Sequence, residues 1–377
     1  MNRIILIGNG FDLAHGLKTS YKDFIDWYWR EWGKKLYQGK SKLEEDELCR
    51  FKLNDGVELA AWYLVWHYYY HRNPSSEPWD ESKVVEIAKR DSKLCTFTIK
   101  SPLFKELYRS YETKGWVDIE NQYYEYLCHS VLTHDEAKAA NDDMDFIKSK
   151  LIEYLKFVQE DALKSLVVDI DDGLKNKFID DVRKSDVSCK WMLNRYTDPY
   201  SSMLVPKFED IKHPGNIMLL NFNYTDIADR YLPSSKVNMI VHIHGELSNP
   251  SSVIFGYGDE LDDDYRILSK KNDNEYLRNI KSIRYLESDC YRKILEFIEP
   301  APFQIYIMGH SCGNSDRTLL NTLFEHKNCV SVKPYYYVNE NKEDNYLELV
   351  QNISRNFTDM KLMRDRVVNK TFCEPLM

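Results

Sequence analysis

The chain has 377 residues, 43% of them hydrophobic and 29% charged, with a formal net charge of −9. That balance belongs to a folded protein with room for two subdomains and excludes a disordered segment or a small disulfide-held module. The acidic excess argues against broad, sequence-independent nucleic-acid binding, which needs a basic face, although a local basic groove stays compatible with it.

Aromatics make up 14% of the chain, including 27 Tyr and 8 Trp, and are read as half-wet packing between helices. Eight cysteines stand at 49, 95, 128, 189, 290, 312, 329 and 373 with no CxxC pair, so zinc-ribbon spacing is absent. They read as reduced thiols, which sets the expected location as cytoplasmic. Strand residues begin at once, with no signal-peptide pattern. Residues 59–70, with Trp62, Trp66 and His67, are too short an apolar stretch to span a bilayer, so a core helix and no membrane partner are expected.

The first sixteen residues are the most informative. The apolar run 4–7 meets Gly8-Asn9-Gly10 and then an amphipathic stretch, the pattern of a buried parallel strand, a glycine turn and a helix. Such a turn lets backbone approach a phosphate, with helix N–H groups facing the anion. Gly16 falls too late for a GxGxxG fingerprint, so a plain tight turn competes with a nucleotide site. Residues 21–36 read as an aromatic-rich helix. From about 40 to 200 the pattern is almost entirely helical, with apolar residues at three- and four-residue spacing over 57–71, 104–111, 116–127 and 144–166.

Near residue 215 the pattern changes. Strands are expected at 216–223, 237–244, 252–255, 303–308 and 330–338, and helices at 273–298, 316–325 and 345–357. Strands alternating with helices imply a parallel sheet. The fold class expected is therefore α/β, with the first strand joined to the C-terminal half and a large helical insertion between them. The boundaries are 1–25 plus 206–377 for the α/β domain and 26–205 for the insertion.

Four polar clusters fall at expected strand ends, where open α/β sheets bind ligands. The first is Gly8 to Asp12 with His15; Asp12 either caps the helix or faces a ligand. In the second, Asn221 and Asn223 leave a strand on one side, and an amide can orient a ribose hydroxyl or a water. An Asn-rich turn with Thr225 or Asp226 as a helix cap is the plainer alternative. The third, His242-Ile243-His244-Gly245, suits a metal ligand pair or a general base. No carboxylate or cysteine partner completes a metal site by sequence, so none is expected. In the fourth, Gly309, Ser311 and Gly313 satisfy Gly-x-Ser-x-Gly. His326 alone follows, inside the next helix, which is poor geometry for a triad. Phosphate or ribose binding by Ser311 and the backbone amides is the better reading.

The order of these clusters resembles the sirtuin-like (SIR2) fold. Sirtuins open on a strand and a Gly-Ala-Gly-x-Ser turn with another glycine six residues after the second, spacing that Gly8, Gly10 and Gly16 keep. Asn223-Tyr224 resembles their next segment. His244-Gly245, Gly309-His-Ser311 and Val338-Asn339 follow in order. The run Asn9 to Tyr21 is similar, more closely, to the opening of the AbiH family of phage abortive-infection proteins. Trp116-Val-Asp118-Ile-Glu120 and the Asn-Tyr and His-Gly segments also fit that family. The sirtuin zinc cysteines are missing, Asp12 stands at the serine position, and Thr19-Ser20-Tyr21 replaces Asp-Phe-Arg, so protein deacylation is not expected.

The resemblance implies an abortive-infection effector that hydrolyses NAD at the nicotinamide–ribose bond when triggered. NAD is then substrate, with no prosthetic group. On this resemblance Asn223 and His244 are the catalytic residues, Gly8, Asn9, Gly10 and Asp12 line the pyrophosphate and nicotinamide ribose, and Gly309, Ser311 and Asn339 hold the adenosine end. The partners implied are NAD or a related nucleotide, a phage-derived trigger or partner defence protein, and a second copy of the chain. Two other readings stay open: a module that binds a nucleotide or ADP-ribose derivative without turnover, and a metal-dependent nuclease using Asp12, Asp118 and Glu120.

Overall fold

A computed structural model describes residues 1–37, 41–58, 82–90, 92–114, 118–130, 132–164, 171–192, 208–232, 238–258 and 260–377. Eight strands occur among them: β1 (Asn2–Ile7), β2 (Leu43–Glu45), β3 (Cys49–Leu53), β4 (Cys95–Ile99), β5 (Ile217–Asn221), β6 (Asn238–His242), β7 (Phe303–Met308) and β8 (Cys329–Tyr335). The chain divides into two compact units. One comprises Met1–Thr19, Leu155–Asn272 and Asn279–Met377; the other comprises Ser20–Tyr154 and Asp273–Arg278.

The first unit is α/β. Its sheet runs β6-β5-β1-β7-β8, and every pairing is parallel. The first strand is central: Ile5 pairs with Leu219 on one side and Tyr306 on the other. All six residues of β1 and all six of β7 are buried, and residues 4–7 and 305–308 accordingly read as continuous apolar runs instead of alternating ones. Ile4 and Leu6 pack with Met218, Leu220, Ile305 and Ile307 in the main core. The chain builds outward to β6, then returns across β1 to add β7 and β8. The direction of winding therefore reverses between β1 and β7.

The other face of the sheet is partly polar. Arg3 is buried over the Tyr306 ring at 4.1 Å and donates to Phe178 O and Gln304 Oε1. Lys333 pairs with Asp186 at 2.9 Å, both side chains at most 1% exposed. Beyond β8, Val367 bridges Val332 and Pro375 bridges Tyr336, while Leu376 N donates to Tyr336 O at 2.9 Å. Lys177 Nζ donates to the carbonyls of Pro375 and Leu376, each at 2.9 Å.

The second unit differs from expectation. Its helices Tyr21–Tyr37, Pro102–Lys114 and Ile119–His129 and most of His134–Lys164 follow the sequence pattern, but it also holds the antiparallel sheet β2-β3-β4. Asp46 organises that sheet's first turn, accepting from the amides of Leu48 and Cys49 and from Tyr28 Oη and Trp32 Nε1. Residues 59–81, which include the expected 59–70 core helix, lie outside the described residues, as do Trp116 and Val117. No described helix is long and apolar enough to cross a membrane.

Two further expectations change. Residues 252–255 form no strand; a short 3-10 turn, Pro250–Ser252, leads into irregular backbone. The single helix expected over 273–298 is broken into Asn274–Tyr276, Lys281–Arg284, Tyr285–Glu287 and Cys290–Ile298. Ser288 interrupts it before the last piece, where its side chain competes for a backbone amide: Ser288 Oγ accepts from Cys290 N.

Candidate functional site

Two turns meet at the point where the winding reverses. Gly10 N donates to Gly309 O at 2.8 Å, and Gly8 N donates to Met308 O at 3.3 Å. A Cβ on Gly8 would lie 2.5 Å from His310 Cα, and one on Gly309, at φ +75°, would run into Phe11 N. The glycines are required by this contact as much as by any ligand. Gly8 precedes the helix Asn9–Ala14 with extended backbone and no side-chain cap.

Asp12 therefore does not cap that helix. It is 1% exposed inside the first turn, with Oδ2 accepting from Thr225 Oγ1 at 2.5 Å. Its Oδ1 has no hydrogen-bond partner among the described residues. Burial pushes its carboxyl up to about 6, against the opposing pull of Thr225 and Asn223. Thr225 is thus a partner of Asp12 and not the helix cap considered above. Asn9 is exposed, and its Oδ1 accepts from Thr19 Oγ1 at 2.6 Å.

Asn223 follows β5. Its backbone N donates to Asn221 Oδ1 at 2.9 Å, and its Nδ2 donates to Gly8 O at 3.1 Å. The asparagine pair thereby ties the turn after β5 to the turn after β1. Asn221 Nδ2 donates to Thr225 O at 3.0 Å, which closes the loop carrying the partner of Asp12. His15, at the end of the helix Asn9–Ala14, has both ring nitrogens engaged: its Nδ1 faces Phe11 O and its Nε2 faces Tyr231 Oη at 2.6 Å.

His244 is 4% exposed just beyond β6. Its Nδ1 lies 3.2 Å from Phe222 O, and its Nε2 lies 3.2 Å from Tyr285 Oη and 3.1 Å from Asp316 Oδ1. Asp316 also receives Lys281 Nζ at 3.1 Å on Oδ1 and His310 Nε2 at 3.5 Å on Oδ2. Burial and the Lys281 charge lower the pKa of His244, with Asp316 opposing them. Burial would raise that of Asp316, but Lys281 and His244 outweigh it and hold the carboxyl well below its usual range. The Phe222 ring, 5.3 Å from His244 and 4.2 Å from His310, separates this cluster from Asn223.

The structure thus gathers Gly8, Gly10, Asp12, Asn223 and Gly309 about the two turns, and links His244 to them through Phe222 and His310. Two site candidates stand apart. Ser311 is exposed, and its carbonyl accepts from Asn352 Nδ2. Asn339 folds its own turn, its Nδ2 and Oδ1 bonding to Glu343 at 2.9 Å. His242 pairs with Asp229 at 2.9 Å and not with His244. Among the described residues no three His, Cys, Asp or Glu side chains are placed to hold a metal ion, and Asp118 caps its helix by accepting from Asn121 N.

Sequence reasoning missed His310, Lys281 and Asp316. Asp316 lay in plain view, five residues after Ser311 and directly before a helix, but was assigned to no role. Lys281 carried no local signal, since it comes from an irregular segment distant in sequence. No curated protein and no solved structure matches the chain. The family model described as "Bacteriophage abortive infection AbiH" matches residues 4–337, most of the chain, and the protein belongs to that family.

Proposed function

We propose that this abortive-infection protein acts by hydrolysing NAD at the nicotinamide–ribose bond, in a sirtuin-like, Rossmann-like sheet. The observation that carries the reading is Asp12 Oδ1, a buried carboxyl oxygen beside the joined glycine turns that has no hydrogen-bond partner among the described residues. An unpaired buried oxygen costs about 1–3 kcal/mol, so a ligand donor such as a ribose hydroxyl is the natural group to satisfy it. The strand order, with β1 central and the winding reversed at β7, is that of sheets binding dinucleotides at this point.

In this reaction a water oxygen bonds to the ribose carbon as the carbon–nitrogen bond breaks. The bonding pair moves into the nicotinamide ring, and the water proton passes to a base. The amides of the Gly8–Gly10 turn would face the pyrophosphate. Asp12 would hold the nicotinamide ribose and favour the positive charge that develops on it. Asn223 would orient the water or the ribose, and His244 would accept the proton or hold the ribose hydroxyls. A phage-derived trigger and assembly of several copies complete the proposal, in a reduced cytoplasmic setting.

A second reading has its own observation. Both ring nitrogens of His244 already face protein groups, which favours a module that binds a nucleotide or ADP-ribose derivative without turnover. The test is to incubate the purified protein with NAD, with and without phage lysate, and follow free nicotinamide. Release in either arm supports the enzyme. Calorimetric binding of ADP-ribose with no release in either arm supports the sensor.

A further inference from the structure

His244 is surrounded by groups that contest its proton. Tyr285 and Tyr224 flank the ring, Asp316 and Lys281 lie at its Nε2 side, and His310 shares the same carboxylate. The partners on the two ring nitrogens are decisive. Phe222 O is an acceptor, so Nδ1 must carry a proton to bond it. Asp316 Oδ1 is an acceptor as well, so Nε2 can bond it only when that nitrogen also carries a proton. Tyr285 Oη, by contrast, can donate to a bare nitrogen there.

His310 is fixed differently. Its Nδ1 accepts from Cys312 N at 3.0 Å, which leaves Nε2 to carry the proton toward Asp316 Oδ2. Lys281, 1% exposed, supplies the fixed positive charge that allows one carboxylate to remain ionised so deep in the protein.

We propose that Asp316 is the positioning residue for His244: its Oδ1 holds the imidazole through Nε2 and favours a proton there, its Oδ2 holds His310, and Lys281 limits how strongly it acts. Asp316 acts through His244 and needs no contact with substrate. The proposal rests on the reading of His244 as the proton-handling group of the site, but its electrostatic content can be measured without NAD.

The experiment is nuclear magnetic resonance of the histidine rings in full-length protein labelled with 15N-histidine, titrated with pH. His244 is assigned by the signal missing from His244→Gln. Opposite charges at this range move a pKa by about 1–3 units. Asp316→Asn should lower the His244 midpoint by about that much, and Lys281→Met should raise it. A structural role alone gives no such opposed pair of shifts. If Asp316→Asn does not fold, Lys281→Met still decides, because an unmoved or lowered midpoint there overturns the proposal. So does an unmoved His244 midpoint in a folded Asp316→Asn. Opposed shifts in a protein that leaves NAD intact would uphold the positioning by Asp316 while removing the hydrolase reading.

Discussion

The amide of Gly10 donates to the carbonyl of Gly309 at 2.8 Å, so turns separated by almost 300 residues of sequence form a single surface. The contact sets both backbones at one distance. Gly309→Ala should destabilise the protein by about 3 kcal/mol or more, since its left-handed φ of +75° and the collision with Phe11 act together. Gly16 has a similar φ of +78° but open space around it. Gly16→Ala should cost only about 1–2 kcal/mol. Denaturant titration of both variants checks the order.

Asp12 should make the protein less stable as pH rises. Its folded pKa, about 6, exceeds the ordinary aspartate value of 3.8, so the folded state holds the proton more tightly across that window. Stability contributed by the neutral acid is fully present below about pH 4 and is lost by about pH 6, roughly 3 kcal/mol in all. Asp12→Asn should flatten this part of the stability–pH profile. At pH 7 the variant should be at least as stable as the parent, and the two should converge below about pH 4. Were the acid purely structural, the exchange would lower stability at neutral pH.

Asn223→Ala and His244→Ala should each reduce NAD hydrolysis by about 10²–10⁴ and abolish protection against phage. The two should differ in stability. Asn223→Ala loses a hydrogen bond to Gly8 O, whereas removing the His244 ring opens a void beside Phe222 and Tyr285. A greater fall in melting temperature is expected for His244→Ala. Steady-state rates together with thermal melts separate the effects on activity from those on folding.

Breaking the buried pair beneath the sheet should cost more than any surface change. Lys333→Met leaves Asp186 ionised and enclosed, and Asp186→Asn leaves the ammonium enclosed. Each should cost about 3–5 kcal/mol, and the double variant should recover most of the loss. A double-mutant cycle by chemical denaturation measures the coupling.

Exhaustive dialysis against a chelator should leave the melting temperature unchanged. The Asp316 carboxylate, with His244 and His310 around it, already has its cation in Lys281. A fall on dialysis that zinc restores would contradict this.

The parallel sheet was legible because buried strands leave a strong mark: residues 4–7 and 305–308 are apolar without interruption. The antiparallel sheet was not. Cys49-Arg-Phe-Lys-Leu53 alternates clearly, burying every second residue, but five residues between helical patterns make a weak signal. The glycine turns, Asn223 and His244 were legible as polar groups at strand ends. Their connections were not, because Phe222, Lys281 and Asp316 join the cluster through tertiary contacts that no local spacing records. Asn339 shows how ambiguous such a residue is in sequence. An asparagine after a strand is as well suited to closing its own turn on Glu343 as to meeting a ligand.

The arrangement at β8 bears on how copies of the chain behave toward one another. A sheet's final strand ordinarily offers a row of bare amides and carbonyls, a template on which a neighbour's strand can grow. Here Val367, Val368, Pro375 and Leu376 occupy part of that row, and Lys177 clamps two of the covering carbonyls. Protection against sheet-to-sheet aggregation along this margin is therefore supplied from within the same chain.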